Sequence, residues 1–358
     1  MTPGPTRVPE RVLAAGARPM IHHRTGAFSN ELAEMVRLMA PLVGTSRRVL
    51  PLPSTGRGGM EAAICNFFSP GDEIVVCANG RFGALWGKIA ETFGLVVHRV
   101  STDWTRDVDA AEVDGALARH PRTRAVALTY SDTSTGVAND VAAVARVASA
   151  RGALVLVDAV SAIGGMPFAF DDWGVDVVVT ASQKCLMSSP GLALVVVSDR
   201  AWAATRSARL PRHYWDLVEA DQAMSKPRPL APGTTAVHVV LQVTEALRMI
   251  HEEGLEHVCR RHAQMSNRLR QGLSDLGLAL QCPKLQREST TLTAVLAPAG
   301  LAPKAIRDGL EARGILVAEG LGPYDATAFR IGHMGDIRMA DIERTLTALG
   351  DLLPHVQA

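Results

Sequence analysis

The chain lacks the marks of a secreted, metal-binding, nucleic-acid-binding or membrane-spanning protein. Its five cysteines, Cys65, Cys77, Cys185, Cys259 and Cys282, are scattered without CxxC spacing, so they form neither a recognisable disulfide framework nor a metal ligand set. This usage, with no secretory leader, predicts a reducing, cytoplasmic compartment and no metal site. An excess of one charge is also missing. The 37 Lys and Arg residues against 36 Asp and Glu leave a formal net charge of +1, which offers no long basic face to nucleic acid. Apolar runs are short and interrupted, so no membrane span is expected. Neither a phosphate loop ending in Gly-Lys-Ser/Thr nor a GxGxxG fingerprint occurs, which leaves a nucleotide reading with little support.

The 358 residues exceed what one hydrophobic core usually serves, and 47% hydrophobic with 20% charged residues suits an enzyme-sized globular protein. Helical periodicity over 28–40, 59–68, 82–93, 110–118 and 141–150 alternates with apolar strands at 49–50, 73–76, 96–98, 125–129 and 154–158. Further strands follow at 177–179 and 192–197. This order predicts an α/β fold whose mostly parallel sheet is covered by helices on both faces. A less regular stretch over 206–232 precedes a long helical pattern at 237–252, the natural boundary. Helices at 255–276, 303–313 and 337–349, with strands at 290–296, 315–317 and 329–331, then suit a small α+β domain. The expected division is an arm over 1–24, a large domain over 25–236, and a connector helix with a small C-terminal domain over 237–358.

Two segments carry the most chemical information. The apolar run Ala153-Leu154-Val155-Leu156-Val157 ends in Asp158, which a buried strand would deliver to the carboxyl edge of the sheet, where open α/β sheets place ligands. The run Thr180-Ala181-Ser182-Gln183 leads to Lys184 after the next strand. An acid able to pair with a protonated pyridine nitrogen and a lysine able to form an imine are what pyridoxal phosphate chemistry requires. Taken singly, Asp158 reads more plainly as a cap and Lys184 as a solvated charge. Their shared position after successive strands favours the chemical reading.

Other loops join them. Pro53-Ser54-Thr55-Gly56-Arg57-Gly58-Gly59 is a glycine-rich turn feeding an apolar helix, so its N–H groups and positive helix terminus can cradle an anion. The run Thr129 to Gly136 supplies hydroxyls after a strand, although turn and capping roles are the commoner use. Phe82, in Asn79-Gly80-Arg81-Phe82-Gly83, can offer a flat face to a pyridine ring or pack into the core.

Taken together, Pro3-Gly4-Pro5-Thr6, His23-Arg24-Thr25, Gly58-Gly59-Met60-Glu61, Ser134-Thr135-Gly136, Val157-Asp158-Ala159-Val160-Ser161, Ser182-Gln183-Lys184, Pro190-Gly191 and Phe329-Arg330-Ile331-Gly332-His333-Met334-Gly335 resemble a class V aminotransferase. The similarity is greatest to the alanine or serine:glyoxylate aminotransferases and runs nearly end to end, in family order. It implies fold type I, with a seven-stranded, mostly parallel sheet, and pyridoxal 5'-phosphate as cofactor. It assigns Lys184 to the imine and Asp158 to the pyridine nitrogen. Thr133 would approach the ring hydroxyl, Gln183 the phosphate region and Phe82 the ring face, while Thr55, Gly56 and Arg57 would form the phosphate cup. Arg330 takes the place of the arginine that holds the substrate carboxylate, a task suited to a planar five-donor fork.

The resemblance also implies a homodimer with shared sites. In relatives a tyrosine and a threonine of the neighbouring subunit help hold the phosphate; Thr234 matches the threonine, whereas the tyrosine position falls near Ala231. Tyr130, Ser131 and Asp132 stand where relatives carry His-Gly-Glu. The implied reaction is transamination of a small amino acid, alanine or serine, with glyoxylate or pyruvate. Transamination of 2-aminoethylphosphonate or pyridoxamine with pyruvate is the alternative within the same fold. A desulfurase would need a cysteine on a mobile active-site loop, which none of the five cysteines supplies.

Overall fold

The computed structural model describes residues 1–100, 104–282 and 287–356. Its strands, in chain order, are β1 (Val49–Leu52), β2 (Glu73–Cys77), β3 (Val96–Val100), β4 (Thr123–Thr129), β5 (Ser131–Asp132), β6 (Val137–Ala138), β7 (Leu154–Asp158), β8 (Val177–Ala181), β9 (Ala193–Val197), β10 (Leu292–Leu296), β11 (Ala318–Glu319) and β12 (Ala328–Gly332). A seven-stranded sheet runs β1-β9-β8-β7-β4-β2-β3. Only β9 is reversed, antiparallel to both β1 and β8. The expected mostly parallel sheet is therefore present.

The central strands have no polar face because helices cover both sides. Every residue of β7 and β8 is buried, and each fully buried Val or Leu there contributes roughly 1.5–3 kcal/mol through removal from water. Helices Gly56–Phe67, Arg81–Thr92 and Val141–Ala150 link consecutive strands. Parallel pairing requires such crossovers, and they bring the carboxyl ends of β4, β7 and β8 to one edge. A second apolar cluster, which includes Met265, Leu269, Ile306, Phe329, Ile342 and Leu349, packs around the three-stranded sheet β10-β12-β11.

The structure differs from sequence expectation at several elements. The N-terminal arm contains a helix, Glu10–Gly16, whose Val12 is fully buried. Seven residues give too few turns for periodicity to be visible; the helix is held by packing on helix Val237–Glu253. Two short helices, Asp199–Ala204 and Leu217–Met224, flank and enter the stretch read as irregular. Side chains cap both: Ser198 Oγ accepts from Ala201 N at 3.1 Å and Asp216 Oδ1 from Val218 N at 2.9 Å. The strand expected at 315–317 lies instead at Ala318–Glu319, because the register with β12 pairs Ala318 with Arg330 and Glu319 with Phe329. The helix Val237–Glu253 directs Val240, Val243 and Leu247 into the same apolar cluster as the large sheet.

Candidate active site

The carboxyl edge of the large sheet presents an acid and an amine to one cavity of about 330 Å³, lined by Asp158, Lys184, Thr55, Gly56, Arg57, Phe82, Gln183 and the N-terminal Gly4 and Pro5, among others. Asp158 is the last residue of β7, and only 4% of it is exposed. Its Oδ1 accepts the Val160 N–H at 2.9 Å and its Oδ2 the Thr129 hydroxyl at 3.4 Å. Burial nevertheless dominates and pushes the carboxyl up to about 6, since a charge taken from water costs more than these two bonds return. Lys184 follows β8 by three residues. Desolvation brings its ammonium down to about 8, which places a free amine within reach of neutral pH.

The N-terminal arm crosses this amine. Lys184 Nζ donates to the Pro3 carbonyl. The arm is fastened on both sides: Thr6 N donates to Gln183 O at 3.0 Å, Thr6 Oγ1 to Lys184 O at 2.9 Å, and Gly332 N to Met1 O at 2.8 Å. Gly4 has φ +117°, and a Cβ there would lie 2.6 Å from both Cδ and Nζ of Lys184. At this φ a side chain at position 4 is strained, and its Cβ would have to displace the flexible end of Lys184. Sequence reading placed Pro3-Gly4-Pro5-Thr6 in the family pattern without a role. The close approach of Gly4 to Lys184 is a signal that only the fold reveals.

The phosphate-cup candidates meet at the start of helix Gly56–Phe67. Thr55 is its N-cap residue, yet its side chain makes no capping bond, unlike Thr25, whose Oγ1 accepts from Phe28 N at 3.3 Å. The Thr55 hydroxyl and the first N–H groups of the helix are thus not tied to each other, and Thr55 and Gly56 line the cavity. Gln183 lines the same cavity, and its Oε1 is buried with no hydrogen-bond partner among the described residues.

Phe82 is held by a second acid. Asp132 Oδ2 accepts from the backbone N–H groups of Phe82 and Gly83, each at 3.0 Å, while Oδ1 accepts from Ser134 N at 2.9 Å. Asp132 therefore clamps the start of helix Arg81–Thr92 and fixes the ring that lines the cavity. Its departure from the family pattern was visible in the sequence; its clamping role was not. Thr133 Oγ1 bonds Ser161 Oγ at 2.5 Å, and the Thr133 carbonyl accepts from Arg330 Nη1 at 2.8 Å.

Arg330 lies on β12 and is 7% exposed. Its Nε donates to Glu319 O at 2.6 Å. No side-chain carboxylate pairs with it among the described residues, and burial lowers it to about 10. Glu319 and Asp132 oppose that lowering without pairing with the guanidinium, and neither Arg330 nor Thr133 is among the residues lining the Lys184 cavity. Thr234 is not brought to Lys184; it lines separate cavities beside Pro53, Tyr214 and Ala231 on one side and His23 on the other.

Residues 4–339 match the family described as Aminotransferase class-V. The chain belongs to the class V aminotransferases. This aminotransferase is 39% identical to the soluble hydrogenase small subunit of a Synechococcus species, over 99% of this chain and 93% of that protein. It is 36% identical to the L-aspartate–glyoxylate aminotransferase of Paracoccus denitrificans, over 94% of this chain and 86% of the relative. Among solved structures, the alanine–glyoxylate aminotransferase of a Nostoc species superposes with a TM-score of 0.94 at 30% identity, covering 99% of this chain and 94% of that one.

Proposed function

We propose that this aminotransferase uses pyridoxal 5'-phosphate to move an amino group from a small 2-amino acid to glyoxylate or pyruvate. The residues fit the cofactor: the helix N-terminus at Gly56, with Thr55 and Arg57, would hold its phosphate, and Asp158 would pair with its protonated ring nitrogen. When bound, the cofactor supplies an aldehyde that captures amines and a ring that accepts the electron pair released at the donor Cα. The chain supplies the rest. Lys184 Nζ, already half-deprotonated at about pH 8, anchors the aldehyde and, once displaced, takes the donor's Cα proton. Phe82 would pack against the ring face, Thr133 would approach the ring hydroxyl, and Arg330 would hold the α-carboxylate so that the Cα–H bond faces the lysine.

The single observation that carries this reading is the convergence of a desolvated amine and a buried acid, Lys184 and Asp158, on one cavity. The two glyoxylate-named relatives support glyoxylate as acceptor and differ in donor, aspartate in one and alanine in the other; serine belongs to the same class of small donors. The hydrogenase name of the third finds no counterpart in gathered thiols. Among the described residues, the only cluster of three potential metal ligands is Glu73, His98 and His120, without cysteine. A homodimer is part of the proposal: Thr234 reaches a partner's phosphate cup and Arg57 replaces the tyrosine lost at Ala231.

Arg330→Lys tests the carboxylate contact. The variant keeps the charge and loses the bidentate fork, and kcat/KM for alanine or serine with glyoxylate should fall by roughly 30-fold or more. Equal values for wild type and variant would remove Arg330 from the site.

A further inference from the structure

Beside the Lys184 cavity lies a second one of about 440 Å³, and the two share Arg57, Phe82 and Leu85 as a common wall. Its lining carries three cations, Arg57, Arg81 and Lys88, and no acid. Most arginines of this molecule that lie near a surface carboxylate are paired with it, as in Arg248 with Glu34 at 2.6 Å, Arg261 with Glu253 at 2.6 Å and Arg268 with Glu343 at 2.6 Å. None of the three groove cations forms an ion pair within the described chain.

Position makes Arg81 the informative member. It is the first residue of helix Arg81–Thr92, and its N–H is fastened to Ser134 Oγ at 2.9 Å. The neighbouring Ser134 N–H is fixed on Asp132, and Thr133 between them holds Arg330 through its carbonyl. The backbone of Arg81 is therefore tied to the loop that orients Arg330. Its charge also acts on the Arg330 guanidinium, less than burial and less than the opposing fields of Glu319 and Asp132. Neither Asp132 nor Glu319 lines the groove, and neither pairs with Arg57, Arg81 or Lys88 among the described residues. Cations lining one wall without an ion pair leave the groove positive and open to an anion. A donor with one carboxylate satisfies only Arg330.

We propose that Arg81, supported by Lys88, receives a second, distal anionic group of the amino donor, so that this site selects an acidic 2-amino acid such as aspartate over alanine or serine. The proposal rests on the transaminase reading above and deepens it. The amino group still leaves the donor Cα; the product is a 2-oxo dicarboxylic acid in place of a monocarboxylic one. Arg81 is a specificity-determining residue and takes no proton.

The test measures kcat and KM of the holoenzyme with aspartate, alanine and serine against glyoxylate, for wild type and Arg81→Gln. Wild type should favour aspartate. Arg81→Gln should lower kcat/KM for aspartate by about 10- to 100-fold, the range for losing one charge-assisted contact at a partly solvated site, mainly through KM. Values for alanine and serine should move less than about threefold. Binding of succinate and propionate to the holoenzyme, followed by isothermal titration, gives a readout independent of turnover: succinate should bind more tightly than propionate in wild type and lose that advantage in Arg81→Gln. Wild-type preference for alanine or serine, or an equal loss for all donors in Arg81→Gln, would overturn the acidic-donor assignment alone. Turnover of no amino donor by the wild-type holoenzyme would overturn the transaminase reading and this proposal with it.

Discussion

Asp158 carries a cost that a ligand must offset. Its folded-state value, about 6, lies above the ordinary 3.8 of an unfolded aspartate. A raised value means that the folded protein binds more protons between these limits, so the contribution of Asp158 to stability is greatest below about pH 4 and is lost as pH rises through 6. Above pH 6 the apo-protein holds a buried, under-paired carboxylate. Asp158→Asn should therefore raise the melting temperature of the apo-protein at pH 7.5, by an amount no greater than about 3 kcal/mol of stability, while lowering that of the cofactor-loaded protein relative to wild type. Thermal scans of the four states check this. A variant that is less stable than wild type in the apo state would mean that the carboxylate is already satisfied by Val160 and Thr129.

At the scale of elements, the loop after β12 positions the site through two neutral imidazoles. His262 donates from Nδ1 to Val258 O at 2.7 Å and accepts the Gly335 N–H on Nε2 at 3.1 Å. His333 bonds Thr290 O at 2.9 Å and the Thr293 hydroxyl at 3.0 Å. Burial lowers the two to about 4 and about 3. Because the unfolded chain takes protons first, near pH 6.5, stability should fall as pH drops from 6.5 towards 4. His262→Gln removes one titrating ring, so the variant should lose less stability over this interval, although it starts from a lower value at pH 7 through the lost bonds. Urea unfolding at pH 7, 6 and 5 measures the slopes; parallel slopes would contradict the role of His262.

The same elements show what sequence could reveal. Strands β7 and β8 were legible because a strand buried on both faces must be apolar throughout, and Asp158 and Lys184 because they break such runs at their ends. The helix Glu10–Gly16 was not, since its stability comes from packing rather than from its own seven residues. The clamp formed by Asp132 was hidden for a related reason: its partners, Phe82 and Gly83, lie some fifty residues earlier, and only the sheet order brings them together. Gly4 was visible as a motif, but its constraint comes from a lysine 180 positions away.

At the scale of the whole molecule, Thr234 has no role at the site of its own chain, and Arg57 is exposed at the cavity mouth. Both facts follow if two copies complete each other's phosphate cups. Sedimentation at micromolar concentration should show a dimer, and mixing Lys184→Ala with Thr234→Ala subunits should restore part of the activity, because one of the two shared sites is then intact. A monomer with full activity would contradict shared sites. No helix among the described residues is long and apolar enough to cross a membrane.

The central claim is that Lys184 is the amine on which the cofactor is carried. Its most direct measurement is borohydride reduction of the protein loaded with pyridoxal 5'-phosphate, followed by peptide mass mapping. The reduced cofactor should be found on Lys184 alone, and Lys184→Ala should carry no such label while its transaminase activity falls by at least about 10³-fold. A label on Lys88, Lys226 or Lys304 with Lys184 unmodified would contradict the account.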